Sequence, residues 1–252
     1  MFSVRKTTKF HGTTSFYILV FILIVTTLLI YEYGRNYLAI YLSSGLLHAV
    51  IESGLTVSGI RKGETFLFGK KLSKLSEIFL RSFMEGPAFC VPAFFLADQY
   101  RMGNLMYASF LTIVVVGGAS FLLGWSDKKN IAKVVSENSI IIVRRAMMNP
   151  KASMLLALLN TICISMIFLI PSAAREHAFT YVFSYALLVL FFYFINYNLG
   201  VRYIEQFDPI KNEYLRPGVL MQAAGLTYDS AYEMTLLISP AYWVPFYFGL
   251  FN

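Results

Sequence analysis

Residues 45–54 read Gly-Leu-Leu-His-Ala-Val-Ile-Glu-Ser-Gly, and they lie inside a long apolar run of the chain. The run predicts a helix, on which His48 and Glu52 share one face because they are four residues apart. Ionisable residues at membrane depth are costly, and they face the interior of a helix bundle rather than lipid. The segment therefore predicts a membrane-spanning helix that carries a buried functional pair.

The whole chain has the composition of a polytopic membrane protein. It has 252 residues, of which 57% are hydrophobic and 14% are charged, whereas soluble domains carry about 25% charged residues. We expect one all-α domain over residues 1–252, embedded in a bilayer. The net charge of +7 is interpreted as a mark of membrane orientation, so no nucleic-acid partner is expected. Cys90 and Cys163 fall in apolar stretches and are interpreted as small core residues.

Seven stretches have the length and hydrophobicity of a membrane span, which requires about 20 mostly apolar residues. They cover roughly residues 15–33, 37–60, 76–97, 104–125, 152–171, 178–203 and 229–251. With seven spans, 17 of the 21 Lys and Arg residues lie on the side of the N-terminus, three lie on the other side, and Arg81 lies within the third span. Because positive residues concentrate in cytoplasmic loops, the N-terminus is predicted to be cytoplasmic and the C-terminus outside.

Two of the predicted cytoplasmic loops are long. The first is expected to contain a helix that lies on the membrane surface over about residues 130–149, because four aliphatic residues precede two arginines within residues 140–145. The second loop, at about residues 206–228, contains two prolines and is predicted to cover the cytoplasmic mouth of the bundle.

Polar residues from several predicted helices fall at similar depths in the cytoplasmic half of the bilayer, at about 1.5 Å per helical residue. We therefore predict one buried polar pocket in that half. The candidate catalytic residues are His48, Glu52, Glu85 and Glu233. The candidate substrate-binding residues are Asn160, Asn196, Tyr193, Tyr197, Trp243 and Phe83.

The third predicted span adds a pattern of charges. Glu77, Arg81 and Glu85 step by four residues, so they form a ladder on one face of a helix. Arg81 could keep one of the two carboxylates ionised while the other carries a proton. Environments that separate two acids in this way divide the acid and base roles of a reaction.

An acid within an apolar, aromatic environment suits the protonation of an alkene or an epoxide. Aromatic rings stabilise the resulting carbocation, and a pocket in the bilayer excludes water. The sequence has no Gly-x-Ser-x-Gly motif, and its three histidines are spread along the chain, so neither a metal nor an organic cofactor is expected. A His-x-x-x-Glu pair can supply two ligands of a zinc or di-iron site, and this alternative is the weaker one because few other ligand residues accompany the pair.

Residues 45–54, in which Glu follows His by four positions, resemble the second span of the emopamil-binding-protein type sterol isomerases. In that family the His and the Glu line a sterol pocket, and an acid from the next span joins them in moving a double bond through a protonated intermediate. Glu85 lies in the corresponding next span of this chain. The resemblance covers spans two and three, and that family has fewer spans than are counted here.

As a whole, the chain is similar to the integral-membrane terpene cyclases of meroterpenoid and indole-diterpenoid pathways, which are small seven-span proteins with acids on an early and a late span. Those enzymes protonate an epoxide or an alkene to start ring closure. This resemblance implies that Glu52 and Glu233 are the acids. Both resemblances imply that an isoprenoid or sterol-like lipid is protonated in a bilayer pocket, which leads to cyclisation or to double-bond isomerisation.

The same residues also have structural interpretations. His48 and Glu52 could tie helices together, Glu233 could be the solvated start of a helix, and the charge ladder could be a structural ion pair. Two other functions stay open, namely a non-catalytic lipid- or sterol-binding protein and a small proton-coupled transporter. The sequence fits either the endoplasmic reticulum or a bacterial inner membrane, and it leaves the substrate and the oligomeric state undecided.

Overall fold

The computed structural model describes residues 2–8, 12–57, 65–133, 141–146, 150–234 and 239–251. These residues are mostly helical, which confirms the predicted all-α class, and a small antiparallel sheet accompanies the helices. The chain divides into two compact units, each described below by itself. The first unit comprises Met1–Lys9, Ser109–Thr161 and Ala186–Thr235, and the second comprises Phe10–Ala108, Ile162–Tyr185 and Leu236–Asn252.

The second unit is built on three long helices, α1 (Gly12–Tyr33), α2 (Asn36–Val57) and α3 (Lys74–Arg101). A short turn joins α1 to α2, and its Gly34 has a φ of 102°, a conformation that glycine adopts without steric strain. Before α3 the chain forms a hairpin of two short strands, β2 (Phe66–Leu67) and β3 (Lys70–Lys71).

Helices α2 and α3 approach each other closely at two glycines. A Cβ atom on Gly86 would lie 2.6 Å from the Ser44 carbonyl oxygen, and a Cβ atom on Gly45 would lie 2.6 Å from the ring of Phe83. Small residues at such crossings allow the backbones of apolar helices to come together. The side chains around this crossing are thereby brought within contact distance of one another.

The remaining elements of the second unit pack around these helices. They are a 3-10 turn (Met166–Leu169), the first part of α7 (Ser172–Asn198) and the short helix α9 (Pro240–Tyr247). The Ser43 hydroxyl donates a hydrogen bond to the Ala241 carbonyl oxygen over 2.8 Å, which fastens α9 to α2.

The first unit contains helical segments and the four-stranded sheet. Its helical elements are the second half of α4 (Leu105–Thr112), a π-helical turn (Ile113–Gly117), α5 (Gly118–Lys133), most of α6 (Pro150–Ser165), the end of α7 and α8 (Val219–Met234). The strands are β1 (Phe2–Thr8), β4 (Ile141–Ala146), β5 (Arg202–Asp208) and β6 (Glu213–Leu215), arranged in the order β4-β1-β5-β6.

The sheet is antiparallel throughout and packs against α8. In its register Val4 of β1 stands opposite both Arg145 of β4 and Ile204 of β5. Val4, Ile204 and Tyr197 form a buried apolar cluster, against which Met221 of α8 packs. The sheet therefore ties the N-terminal segment of the first unit to segments far along the chain.

The structure corrects part of the helix predicted in the first long loop. The sequence predicts a surface helix over residues 130–149. In the structure α5 ends at Lys133 and Ile141–Ala146 forms a strand, so the prediction is wrong over residues 141–146. Residues 134–140 and 147–149 lie outside the described residues. The β-branched residues at 141–143 favour a strand over a helix, and β1 offers them a pairing edge. The loop predicted at residues 206–228 contains the end of β5, β6 and the beginning of α8.

Within the described part of the chain, five helices are long and apolar enough to cross a membrane, as expected of a membrane protein. They are Thr13–Tyr33, Asn36–Val57, Lys74–Arg101, Leu105–Trp125 and Ser172–Asn198, and they match the first four and the sixth predicted spans. The fifth predicted span coincides with the shorter apolar helix Ala157–Leu169. The seventh coincides with the end of α8 and with α9, while residues 235–238 between them lie outside the described residues, so the count of seven stays a prediction.

Candidate functional site

Three of the four predicted catalytic residues come together in the second unit. His48, Glu52 and Glu85 each offer one nitrogen or oxygen atom, and these atoms lie within 4.8 Å of one another. His48 and Glu52 stand one helical turn apart on α2, and Glu85 comes from α3 near the close crossing of the two helices. We call these three residues the HEE cluster.

The imidazole of His48 is buried and poorly hydrogen-bonded. His48 is 7% exposed, and its Nδ1 atom has no hydrogen-bond partner among the described residues. Its Nε2 atom lies 3.7 Å from Glu85 Oε2, whereas a charge-assisted hydrogen bond between such atoms spans about 2.7–2.9 Å. His48 is thus close to a carboxylate without being bonded to it.

The two carboxylates of the HEE cluster differ in their access to the surroundings. Glu52 is 2% exposed, while the side chain of Glu85 is 42% exposed. The cluster therefore runs from a fully buried carboxylate to one that a molecule outside the protein can reach. Phe83, a predicted binding residue, is buried beside this crossing and stacks on Phe79 with ring centroids 4.4 Å apart.

The predicted ladder on α3 forms only in part. An Nη2 atom of Arg81 lies 2.9 Å from Glu77 Oε1, and Arg81 also donates a hydrogen bond to the Thr65 hydroxyl. Lys74 pairs with the other oxygen of Glu77 over 3.2 Å. Glu77 and Arg81 are both buried, so these contacts anchor the beginning of α3, and Glu85 turns toward His48 instead.

A second histidine cluster, which the sequence analysis missed, lies in the same unit. His177 Nε2 is 2.9 Å from Asp98 Oδ1, and His177 Nδ1 is 2.9 Å from the Tyr242 hydroxyl. The Tyr37 hydroxyl donates to Asp98 Oδ2 over 2.7 Å. These four residues, which we call the DHYY network, come from α3, α7, α9 and α2, and Phe94 packs its ring edge-on against His177.

The similar depth of three of its residues is a sequence signal for the DHYY network. In the predicted topology Tyr37, Asp98 and His177 all fall near the outer ends of their helices, so their similar depth also predicts that they lie close together. The sixth span is predicted to begin at residue 178, which leaves His177 just outside it. In the structure α7 begins at Ser172, and His177 is a buried helical residue.

The other predicted site residues are divided between the units. Trp243 lies on α9 in the second unit, and its indole nitrogen is buried with no hydrogen-bond partner among the described residues. The remaining ones belong to the first unit, and they are Asn160, Asn196, Tyr193, Tyr197 and Glu233. Of Glu233 the structure describes only the backbone, within α8.

Three of the predicted binding residues of the first unit contact other groups of that unit. Asn160 donates to the Ala231 carbonyl oxygen over 3.4 Å, and Asn196 donates to the carbonyl of Phe192, one turn before it on α7. The Arg202 guanidinium lies 4.4 Å from the centre of the Tyr193 ring. Arg202 also pairs with the buried Asp229 of α8 over 2.6 Å, an ion pair that the sequence analysis did not foresee.

Comparison with known proteins adds no relative. No protein-family model, no curated protein and no solved structure matches the chain.

Proposed function

We propose that the chain is an integral-membrane enzyme that protonates an isoprenoid or sterol-like lipid, which leads to cyclisation or to double-bond isomerisation. The observation that carries the proposal is the HEE cluster. An imidazole and two carboxylates meet at the crossing of two helices that are long and apolar enough to span a membrane. Ionisable groups in such helices mark functional sites by default.

The exposure of each side chain to a substrate suggests its role within the HEE cluster. Glu85 is the carboxylate whose side chain a lipid can reach, so it is the proton donor in this proposal. His48 stands next to Glu85 and has a ring nitrogen without a partner among the described residues, so it passes a proton to Glu85 or takes one back. Glu52 is buried one turn from His48 on the same helix, so it lies where it can exchange a proton with the imidazole. General acid catalysis of this kind contributes about 10²–10⁴-fold to a rate.

Aromatic rings on the two helices that carry the cluster support a cationic intermediate. Phe83 is packed between Phe79 and Tyr41, whose ring centroids lie 4.4 Å and 5.8 Å from its own. The faces of such rings attract a positive charge, most strongly where water is excluded. A carbocation formed on a substrate near Glu85 would thus find stabilising groups on the same two helices.

The sheet of the first unit supports the predicted topology. An open sheet edge is not stable in the hydrocarbon core, so β1, β4 and β5, which are hydrogen-bonded to one another, belong on one side of the membrane. The chain between any two of them would then cross an even number of times. Helices α6 and α7 lie between β4 and β5, and α7 is long enough to cross the membrane. An even number of crossings then favours a second crossing there, by α6 with its 3-10 turn. Together with four crossings between β1 and β4, this gives six crossings before β5. The Lys and Arg bias assigns that side to the cytoplasm.

The proposal is tested with the full chain expressed in membranes. Wild type, Glu85→Gln and Glu52→Gln are offered a panel of epoxidised and plain isoprenoids and of sterols, and the products are separated and identified by mass spectrometry. We expect a product of the same mass as one substrate with the wild type, and its loss with Glu85→Gln. Glu77→Gln is the matched control on the same helix, because Glu77 pairs with Arg81 and Lys74 rather than with His48.

The alternative functions predict other results. A lipid receptor would bind members of the panel and give no product, and its binding would survive Glu85→Gln. A proton-coupled transporter would move its substrate only in the presence of a proton gradient. If wild type and Glu85→Gln give the same products in the same amounts, acid catalysis by the HEE cluster is wrong.

A further inference from the structure

We infer that His48, Glu52 and Glu85 form a binding site for a divalent transition-metal cation, for which Zn²⁺ is the test ion. The inference concerns the same residues as the proposed function and does not depend on it, because it states what the cluster binds rather than what reaction it performs. It also goes against the sequence-based expectation that no metal is bound.

The donor atoms of the cluster are of the kind that Zn²⁺ prefers. The cluster offers one imidazole nitrogen and two carboxylates, and zinc sites in proteins are built from His, Asp, Glu and Cys ligands at about 2.0–2.2 Å for nitrogen and oxygen. A site with three protein ligands leaves a position open for water or substrate. A side chain 42% exposed, as Glu85 is, gives such a position access to the surroundings.

The spacing fits two ligands of one ion better than a hydrogen bond. Two tetrahedral ligands at these bond lengths stand about 3.3–3.5 Å apart. His48 Nε2 and Glu85 Oε2 are 3.7 Å apart, and the three ligand atoms lie within 4.8 Å of one another. A rotation of the exposed Glu85 side chain would close the remaining gap.

The burial and the missing hydrogen bonds of His48 are the second observation that supports a metal site. Its side chain is more than nine-tenths buried, and its Nδ1 atom has no hydrogen-bond partner among the described residues. Buried polar groups are almost always hydrogen-bonded, and an exception is often a place where an ion or a water molecule binds. The other ring nitrogen, Nε2, faces Glu85 Oε2 at 3.7 Å without a hydrogen bond, and a metal ion between these two atoms would give the buried ring a ligand bond.

The two helices hold these ligands in place. Gly86, next to Glu85, packs so closely on α2 that a Cβ atom there would lie 2.6 Å from the Ser44 carbonyl and 3.2 Å from His48 Cβ. The backbones that carry His48 and Glu85 are therefore fixed relative to each other. A site supplied by rigid helices needs little reorganisation when the ion binds.

The DHYY network has the same residue types and cannot serve in this way. Both ring nitrogens of His177 and both oxygens of Asp98 are already engaged in hydrogen bonds of 2.7–2.9 Å. A metal ion there would have to displace Tyr37 and Tyr242. The chain contains only three histidines, so His177 is a close control for unspecific binding.

Metal and proton would compete for the HEE cluster. A carboxylate that ligates a cation is deprotonated and has no proton to donate, so metal affinity falls as the pH is lowered. The cluster with Zn²⁺ bound would be inactive in the proposed protonation, and the metal-free cluster would be active.

The experiment uses the full chain, purified in detergent and freed of metal with EDTA. It is dialysed against micromolar Zn²⁺, and bound zinc per chain is measured by plasma mass spectrometry. Co²⁺ replaces Zn²⁺ in a parallel sample, because its visible spectrum reports the ligand geometry. We expect one bound ion per wild-type chain, and at least a tenfold weaker affinity for His48→Leu and for Glu85→Gln. His177→Asn and Glu77→Gln should bind as the wild type does.

Each outcome decides the inference. Wild type that binds no more zinc than His48→Leu does would overturn it, as would an equal loss of binding in His177→Asn. Size-exclusion elution and circular dichroism show that every variant compared is folded, and Glu85→Gln, which changes an accessible side chain, covers the case in which His48→Leu does not fold. Zinc binding by a chain whose metal-free form gives no lipid product would leave this inference standing and refute the proposed function. A lipid product from the metal-free chain, with no zinc bound after dialysis, would overturn this inference and leave the proposed function standing.

Discussion

The two histidines buried in the second unit are hydrogen-bonded to very different degrees. His177 uses both ring nitrogens, one toward Asp98 and one toward the Tyr242 hydroxyl, each over 2.9 Å. His48 has one ring nitrogen without a partner among the described residues and the other 3.7 Å from Glu85. Their burial is similar, with exposures of 4% for His177 and 7% for His48. Burial alone therefore does not account for the difference.

The difference supports the interpretation of the DHYY network as structural and of the HEE cluster as the proposed site. In the DHYY network every polar atom of Asp98 and His177 has a partner, and such satisfied networks stabilise and fix a packing arrangement. An imidazole left unsatisfied costs stability, so its presence in the HEE cluster is better explained by binding a proton, a cation or a substrate. The DHYY network joins four helices, whereas the HEE cluster joins two.

The largest effect on stability is expected at Asp98. Asp98→Ala removes the acceptor of two buried donors, the Tyr37 hydroxyl and the His177 ring. Leaving these two groups unsatisfied should lower the free energy of unfolding by about 2–6 kcal/mol, that is, by about 1–3 kcal/mol for each group. Thermal unfolding in detergent, followed by circular dichroism, would show a clearly lower Tm. Asp98→Asn is the control, because it keeps an acceptor oxygen and should lose less; equal losses in both variants would show that the hydrogen bonds do not matter.

Much of the helical architecture and of the HEE cluster could be predicted from the sequence. Five apolar runs became long helices because length and hydropathy are local properties of the chain. His48 and Glu52 are neighbours through helical periodicity, and Glu85 joined them because antiparallel neighbouring helices bring equal depths together. Local spacing and depth are sufficient for a cluster of this kind.

The sheet and the DHYY network were beyond this reasoning. Strand β1 pairs with β4 and β5, which lie more than a hundred residues away. The sequence of a short strand does not indicate which distant strand it pairs with. The DHYY network depends on which ends of four helices meet, and this is set by interhelical packing rather than by spacing along the chain. Asn160 and Asn196, placed at the right depth, instead bond to nearby carbonyl groups.

A smaller effect is expected from the crossing that holds the HEE cluster. Gly86→Ala would place a Cβ atom 2.6 Å from a backbone oxygen of α2, so the helices must separate, at about 1–3 kcal/mol of the free energy of unfolding. We expect a matching loss of product in the lipid assay and of bound zinc. The control is Gly54→Ala on α2, where nothing lies within 4 Å of the added atom. It should be neutral or stabilise by about 0.5–1 kcal/mol. Full activity of Gly86→Ala would show that the close crossing is not needed by the cluster.

The smallest change in stability, and the sharpest test of the comparison, is expected at His48. His48→Leu removes a buried polar atom that has no partner among the described residues and keeps much of the side-chain volume. Replacing an unsatisfied polar group by an apolar one of similar shape is close to neutral or stabilising. The Tm should stay within a few degrees of that of the wild type or rise, while the lipid product and the bound zinc are lost.

The matched change in the other cluster is His177→Leu, which leaves Asp98 and the Tyr242 hydroxyl without their partner. It should lower the Tm by much more than His48→Leu does, since the penalty of an unsatisfied buried group is about 1–3 kcal/mol for each group. If both variants lose the same stability, His48 is a structural residue like His177, and the distinction between network and site fails. If His48→Leu is stable and still binds zinc and forms product, His48 has no role in either function, because stability, ligand and reaction would all be independent of its imidazole.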